Sequence, residues 1–357
     1  MKQKNKMLII FSIIIILSQI LLTTTCFADT NKETNLNIYA KSCILIEPTT
    51  NTIVYEKNSN EKMYPASTTK ILTAILTMEK CDLKDIVTIT NEMVSKVPAG
   101  YTSAYLKPGE QLTIEQLLNA LLVPSANDAG FALAIHISGS VENFSILMNE
   151  KAKEIGCTNS NFTNPSGIHS ENHYSTAKDM ALIGLYSLKY PQITSICSQT
   201  SYTLEIPQSN TRTFETTNTL LKNTENSYYE YATGLKTGFT SPAGSCIIAT
   251  AKKDNMEYLV VILGAPEPTN DINYRDIDCK TLFEYGFLNY ENLISAQKRA
   301  ITFLNNYASF VIDINTILKI SLGVLSALFV FTILYKKNKT KKFENSEDIF
   351  NFRCSFW

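Results

Sequence analysis

The chain has almost no charge imbalance, with 32 Lys and Arg against 33 Asp and Glu in 357 residues and a formal net charge of -1. Without a strong single-sign field, neither nucleic acid nor a strongly acidic surface is an expected partner. Histidine is scarce: there are three, and the eight cysteines contain no CxxC and no pairing with those histidines. No metal site or redox pair is readable, and no cofactor is expected. No GxSxG surrounds any serine, which removes the nucleophile elbow of Ser-His-Asp hydrolases even though His169 and His173 are available. His169 is expected in a loop near a cleft wall, and His173 as the cap of the helix that follows. Internal repeats and low-complexity tracts are also missing.

What is present begins at the ends. Lys2, Lys4 and Lys6 precede an apolar run over residues 7–22 and then Cys26-Phe27-Ala28, the order of a secretory signal with cleavage after Ala28. A lipoprotein cysteine at "TTTC" is the lesser alternative. Near the other end, residues 317–335 read "ILKISLGVLSALFVFTILY" and are followed by "KKNKTKK". Such a run, at 1.5 Å per residue, spans roughly 28 Å, close to the ~30 Å of a bilayer core. The lysines fit a cytoplasmic stop, and Lys319 lies near the outer end, where it can snorkel. A long amphipathic helix lying on the membrane is the alternative. The expected layout is a signal peptide over 1–28, a catalytic domain over 29–288, a helical stalk over 289–316, a transmembrane helix over 317–335 and a cytoplasmic tail over 336–357. Six cysteines would then face outward, and the sequence leaves their pairing undecided.

Between the ends, "SCILIEP" and "TIVYEKN" predict an early hairpin. Residues 67–80, 113–122, 127–137 and 142–155 space apolar positions at three and four and predict helices, as do residues 177–188. The last third is strand-like in "SYTLEI", "TGLKTGF", "SCIIATAKK" and "MEYLVVILGAP", closed by a helix over "DCKTLFEYGF". Strands at both ends with helices between them predict an α+β fold: an antiparallel sheet flanked by helices, with a separate helical lobe and a cleft between lobe and sheet edge.

Three short motifs could share that cleft. In "YPASTTKILTAIL", Ser67 and Lys70 lie one turn apart at a helix start. A serine hydroxyl attacks only when its proton is removed, and an amine kept neutral by desolvation can remove it. The bland alternative is a capping serine and a solvated lysine. In "VPSANDAG", Ser125 and Asn127 sit at a helix junction, able to relay a proton and hold a substrate amide; the alternative is Asn127 or Asp128 as a plain N-cap. In "GLKTGFT", Lys236, Thr237, Gly238, Phe239 and Thr240 form a strand segment offering a cation and hydroxyls to a carboxylate, with a glycine suited to close approach.

Singly each motif is weak, but SxxK, SxN and KTG in this order form the signature of penicillin-binding proteins and class A β-lactamases. Together with "FTNPSGI" and "YSTAKDMA", residues 38–287 resemble the low-molecular-mass penicillin-binding proteins, the serine-type D-alanyl-D-alanine carboxypeptidases of bacterial cell walls. The resemblance implies a β-lactamase/transpeptidase-like fold. It implies Ser67 as acylated nucleophile, Lys70 as its base, and Ser125 with Lys236 returning the proton to the leaving amine. Asn127 would bind the substrate amide, the N–H groups of Ser67 and Phe239 would form the oxyanion hole, and Thr237 with Thr240 would take the terminal carboxylate. The implied substrate is a peptidoglycan stem peptide ending in D-Ala-D-Ala, and β-lactams would be acylating inhibitors. The implied location is the cell membrane, with the catalytic domain extracytoplasmic.

Two departures stand out. Phe239 occupies a position that is polar in some relatives, and residues 289–315 are too short and too helical for the β-rich second domain many relatives carry. Three rival functions were weighed: a β-lactamase using Glu171, a D,D-transpeptidase, and a non-catalytic penicillin-fold binding protein. Arg212 is a further basic candidate for the carboxylate, set aside because it lies in a variable-looking loop.

Overall fold

The computed structural model describes residues 36–206, 211–269 and 272–310, together with positions 325, 326, 328, 329 and 332. The expected signal peptide and cytoplasmic tail lie outside the described residues, as does nearly all of the expected transmembrane run. Among the described residues no single helix is long and apolar enough to cross a membrane. The chain divides into two units, residues 1–288 and 289–357.

In the first unit, β1 (Ser42–Glu47) and β2 (Thr52–Lys57) form the early hairpin, and β7 (Ala232–Thr240), β8 (Gly244–Lys253) and β9 (Met256–Ala265) follow late in the chain. They make one antiparallel sheet of order β2-β1-β9-β8-β7. The join between the chain's two ends is β1 on β9, with Ile44 opposite Val261. β1, β8 and β9 are buried along almost their whole length, so they read as continuous apolar runs. An antiparallel sheet covered on one face would alternate instead. Two neighbours on β9 show why. Leu259 faces α6 (Ala177–Ser187) at Gly184, while Tyr258 points the other way and donates its hydroxyl to Gly286 O (2.9 Å) in α8 (Tyr274–Phe310).

The helical lobe consists of α1 (Lys70–Lys80), α2 (Asn91–Ser95), α3 (Ile114–Leu122), α4 (Asn127–Ser138) and α5 (Val141–Ile155), with the small hairpin of β3 (Ile86–Thr88) and β4 (Gln111–Thr113). Its helices start on side-chain caps where the sequence supplies them: Thr113 accepts from Gln116 N and Ser140 from Asn143 N, each worth about 1 kcal/mol. Helix α1 differs from its amphipathic reading, because residues 70–77 are all buried. Its two threonines look polar in sequence, yet Thr73 donates to Pro165 O (2.6 Å) and Thr77 to Thr73 O (2.9 Å). Burial therefore leaves no hydroxyl unpaired. α7 (Pro191–Cys197) and the hairpin of β5 (Ser201–Leu204) and β6 (Arg212–Glu215) complete the unit.

Strand β7 is the sheet's edge beside the helical lobe, and its KTG segment packs against the turn that precedes α1. The expected closing helix falls in α8, which spans Tyr274 to Phe310. The six described cysteines are unpaired.

Candidate active site

The segment before α1 sets the nucleophile's geometry. Ala66 has φ +48°, a left-handed backbone that a residue with a Cβ rarely adopts. Residues Ala66–Thr69 then form a 3-10 turn, and the α-helix begins only at Lys70. In a 3-10 turn, residues three apart eclipse, so Ser67 and Lys70 overlap more closely than α-helical spacing would bring them. Ser67 caps nothing: no side-chain cap bond is made at this turn. Its Oγ instead accepts from the Lys70 ammonium, Nζ at 2.9 Å, a bond whose direction reverses when the amine is neutral.

Lys70 is completely buried, and its Nζ has three partners: Ser67 Oγ (2.9 Å), Asn127 Oδ1 (2.8 Å) and Ser166 O (2.7 Å). Two of these are carbonyl oxygens, which can only accept. A neutral amine has two N–H bonds and one lone pair. Giving both hydrogens to the carbonyls leaves the lone pair facing the one partner that can donate, the Ser67 hydroxyl. Burial, followed by the Lys236 charge, holds the Lys70 pKa well below the usual lysine range against the opposing pull of Asp128, so the neutral form is accessible.

The second motif closes the other side. Ser125 has φ +68° and is buried at the mouth of α4, whose first residue is Asn127. The N-cap position is Ala126 and carries no side-chain cap, so Asn127 and Asp128 are free for other duties. Asn127 Nδ2 and N both donate to Thr102 O (2.8 and 3.0 Å), which turns Oδ1 toward Lys70. Buried Asp128 accepts from Ser103 Oγ (2.6 Å), Ala104 N (2.9 Å) and Leu106 N (3.0 Å) and so fixes the loop carrying Thr102. No hydrogen bond joins Ser125 to either lysine.

The third motif lies against the nucleophile itself. A Cβ on Gly238 would sit 2.7 Å from Ser67 N and 3.1 Å from Thr68 N; only glycine permits this approach. Ser67 N belongs to the first turn of a helix, where N–H groups have no intrahelical acceptor. Lys236 is buried and donates to Thr237 O (3.0 Å) and Thr217 Oγ1 (3.3 Å), and Thr217 Oγ1 lies 2.5 Å from Thr237 Oγ1. Burial brings the Lys236 pKa down to about 7; Cys197 opposes the shift, and the Arg275 charge adds to it. Phe239 is 43% exposed at the open edge, and Thr240 accepts from Ala243 N (3.2 Å) where the strand turns. The three motifs thus converge on Ser67, with two depressed lysines, a hydroxyl 2.9 Å from a buried amine, and the Ser67 N–H at a helix start.

A family model described as D-alanyl-D-alanine carboxypeptidase matches residues 29–267. The chain belongs to that family. D-alanyl-D-alanine carboxypeptidase DacF of Bacillus subtilis is 38% identical over 267 residues, covering 74% of this chain and 66% of that protein. DacA of Haemophilus influenzae is 33% identical over 262 residues, covering 71% and 63%. This chain therefore spans just under two thirds of the length of these relatives. The crystal structure of a Streptomyces DD-transpeptidase superposes with a TM-score of 0.65 at 28% identity, covering 70% of this chain and 98% of the other.

Within this carboxypeptidase-family fold several expectations need correction. His173 does not cap α6; Thr176 does, accepting from Asp179 N (3.0 Å), while His173 is buried between the nucleophile turn and the loop over residues 163–168. Arg212 is no exposed carboxylate receptor, because it is paired with Glu110 and donates to Ala104 O (3.3 Å). Glu171 is exposed in a turn, and the three hydrogen-bond partners of Lys70 Nζ include no carboxylate. The sequence reading also missed Thr102, Ser166, Thr217 and Arg275. Backbone carbonyls carry no residue-type signal, although "FTNPSGI" did mark the Ser166 loop. Among the described residues no three His, Cys, Asp or Glu side chains are grouped as metal ligands.

Proposed function

We propose that this chain is a serine-type D-Ala-D-Ala carboxypeptidase that removes the terminal D-alanine from peptidoglycan stem peptides. The observation that carries the reading is the buried Lys70 amine, 2.9 Å from Ser67 Oγ and pinned by two carbonyls, so that its neutral form turns a lone pair to the hydroxyl. Lys70 takes the Ser67 proton as Oγ bonds to the penultimate D-Ala carbonyl carbon. The oxygen that gains the electron pair is held by the N–H groups of Ser67 and Phe239, where one lost donor typically costs about 3 to 4 kcal/mol. The C–N bond then breaks, and the proton on Lys70 goes to the departing amine, with Ser125 and Lys236 in the relay role that the family resemblance implies. Water attacks the ester and gives its proton to Lys70, which returns it to Ser67 Oγ as the acyl C–O bond breaks. Asn127 holds the substrate amide, and Lys236, Thr237 and Thr240 receive the terminal carboxylate. β-Lactams acylate the same serine.

The reading places the catalytic unit outside the cytoplasmic membrane, with residues 1–28 as a cleaved signal, 289–316 as a stalk and 317–335 as the anchor. It is supported by the charge and hydropathy pattern at the two ends. N-terminal sequencing of the mature protein tests the cut after Ala28.

The test of activity is release of free D-alanine from a peptide ending in D-Ala-D-Ala by the full-length chain. Ser67→Ala should release none and show no penicilloyl adduct by intact mass, and Lys70→Ala should lose about 10³-fold or more. Cephalosporin hydrolysis faster than about one per second would favour a β-lactamase, and preferential capture of the acyl group by an added amine would favour a transpeptidase.

A further inference from the structure

His173 is a buried titratable group that the reaction above leaves unused. Its ring sits between two segments that both end at Lys70. Thr163 N donates to His173 Nδ1 at 3.1 Å, and Asn164 Nδ2 approaches the same nitrogen at 3.4 Å. A backbone N–H can only donate, so Nδ1 must be the unprotonated nitrogen. The proton is then on Nε2, which donates to Thr69 Oγ1 at 2.9 Å. Thr69 is the last residue of the turn that holds Ser67.

The other side of the ring governs Lys70's second carbonyl. Asn164 Oδ1 accepts from the N–H groups of Ser166 (3.1 Å), Gly167 (2.8 Å) and Ile168 (3.1 Å), while its Nδ2 donates to Ile168 O (2.9 Å). This folds the loop so that Ser166 O points at Lys70 Nζ. Gly167 has φ +77°, and a Cβ there would meet Ala66 O at 1.8 Å, so the loop lies directly on the nucleophile turn. An imidazolium would set a second N–H against Thr163 N–H, so the geometry requires the neutral ring. Burial accounts for that state: it pushes the His173 pKa down to about 4, helped by the His169 and Lys70 charges.

We propose that His173, as its Nε2–H tautomer, is a positioning residue for acylation, locking the loop that supplies Ser166 O to the turn that supplies Ser67. The inference rests on the carboxypeptidase reading, since its readout is that reaction. It assigns this imidazole no contact with substrate.

The two halves of the lock can be separated by substitution in the full-length enzyme. His173→Asn can keep an acceptor near Thr163 N–H but cannot reach Thr69; His173→Gln can reach Thr69 but leaves Thr163 N–H unpaired. With rates normalised to active sites titrated by penicillin, each variant should lower kcat about 10-fold or more at a KM within about twofold, because either one leaves the loop and the turn unjoined. Wild-type rates per titrated site in either variant, or a loss confined to KM, would overturn the proposal. Should the variants not fold, long-range ¹⁵N spectra of the wild-type enzyme decide. A pyridine-like Nδ1 with a pyrrole-like Nε2 at neutral pH is expected, and the reverse tautomer or a charged ring would overturn it. Absence of D-alanine release by the wild-type enzyme would instead sink the carboxypeptidase reading and leave the tautomer result standing.

Discussion

Gly238→Ala is the sharpest probe of how β7 and the nucleophile turn fit together. The added methyl would lie 2.7 Å from Ser67 N, 3.0 Å from Ala66 Cβ and 3.1 Å from Thr68 N. Two of these neighbours are backbone atoms at a helix start and cannot swing aside as a long side chain would. To reach ordinary contact at 3.4 Å, strand and turn must separate by about 0.7 Å. That gap opens between Ser67 N and the strand carrying Phe239 N, the two donors proposed for the oxyanion. Misplacement on that scale costs roughly 10²-fold in rate, similar to losing one oxyanion donor. Overpacking costs about 1 to 3 kcal/mol of stability, a fall in Tm of roughly 2 to 10 °C for a unit of this size. The assay is the second-order rate of Ser67 acylation by a penicillin, measured beside a thermal melt. A folded variant acylated within about threefold of wild type would refute the reasoning.

Asp128→Asn presents an amide N–H₂ to a pocket of donors from Ser103, Ala104 and Leu106; it should lose about 2 to 3 kcal/mol in urea unfolding. kcat should fall as well, because the loosened loop carries Thr102 O, which holds Asn127. Thr217→Val removes the hydroxyl shared by Lys236 and Thr237 and should lower kcat/KM about 5- to 10-fold, as expected for one hydrogen bond of about 1 kcal/mol. Lys236→Met should be inactive yet more stable in mild acid. The unfolded chain holds the lysine proton up to the ordinary lysine pKa of 10.5, whereas burial in the folded one brings it down to about 7. Wild-type stability therefore rises with pH across that window, and a cost on the order of 5 kcal/mol is fully present below it. Leaving Thr237 O unpaired returns about 1 to 3 kcal/mol of that gain. A difference in Tm between variant and wild type that does not shrink as pH rises from about 7 to 10 would overturn this estimate.

What the sequence made legible was what residue type and spacing encode. Ser67 and Lys70 could be paired on paper because they share one turn, and the sheet because its strands are short apolar runs at both ends of the chain. The all-round burial of α1 was hidden because Thr73 and Thr77 look polar until their hydroxyls find Pro165 O and Thr73 O. His173 looked like a cap because it stands just before a helix, but Thr176 is better placed by three residues. Arg212 looked unpaired because Glu110 is 102 positions away in the chain. The role of Ser166 is carried by a carbonyl, and no residue-type pattern could have announced it.

The turn before Ser67 shows how the site holds a conformation the chain alone would not choose. Ala66 sits at φ +48°, where a non-glycine backbone costs of order 1 to 3 kcal/mol. Glycine would remove that cost, but it would also free the turn. Alanine has a buried methyl with a use: it lies 3.0 Å from the place where a Gly238 side chain would begin. On the opposite side, Gly167 passes so close to Ala66 O that no side chain fits between them. Two bare backbones, one on β7 and one on the Ser166 loop, therefore clamp the same residue from two directions. The strain persists because both partners have to withdraw before Ala66 can relax. That arrangement fixes Ser67 Oγ relative to the Lys70 lone pair, and binding of substrate need not create it.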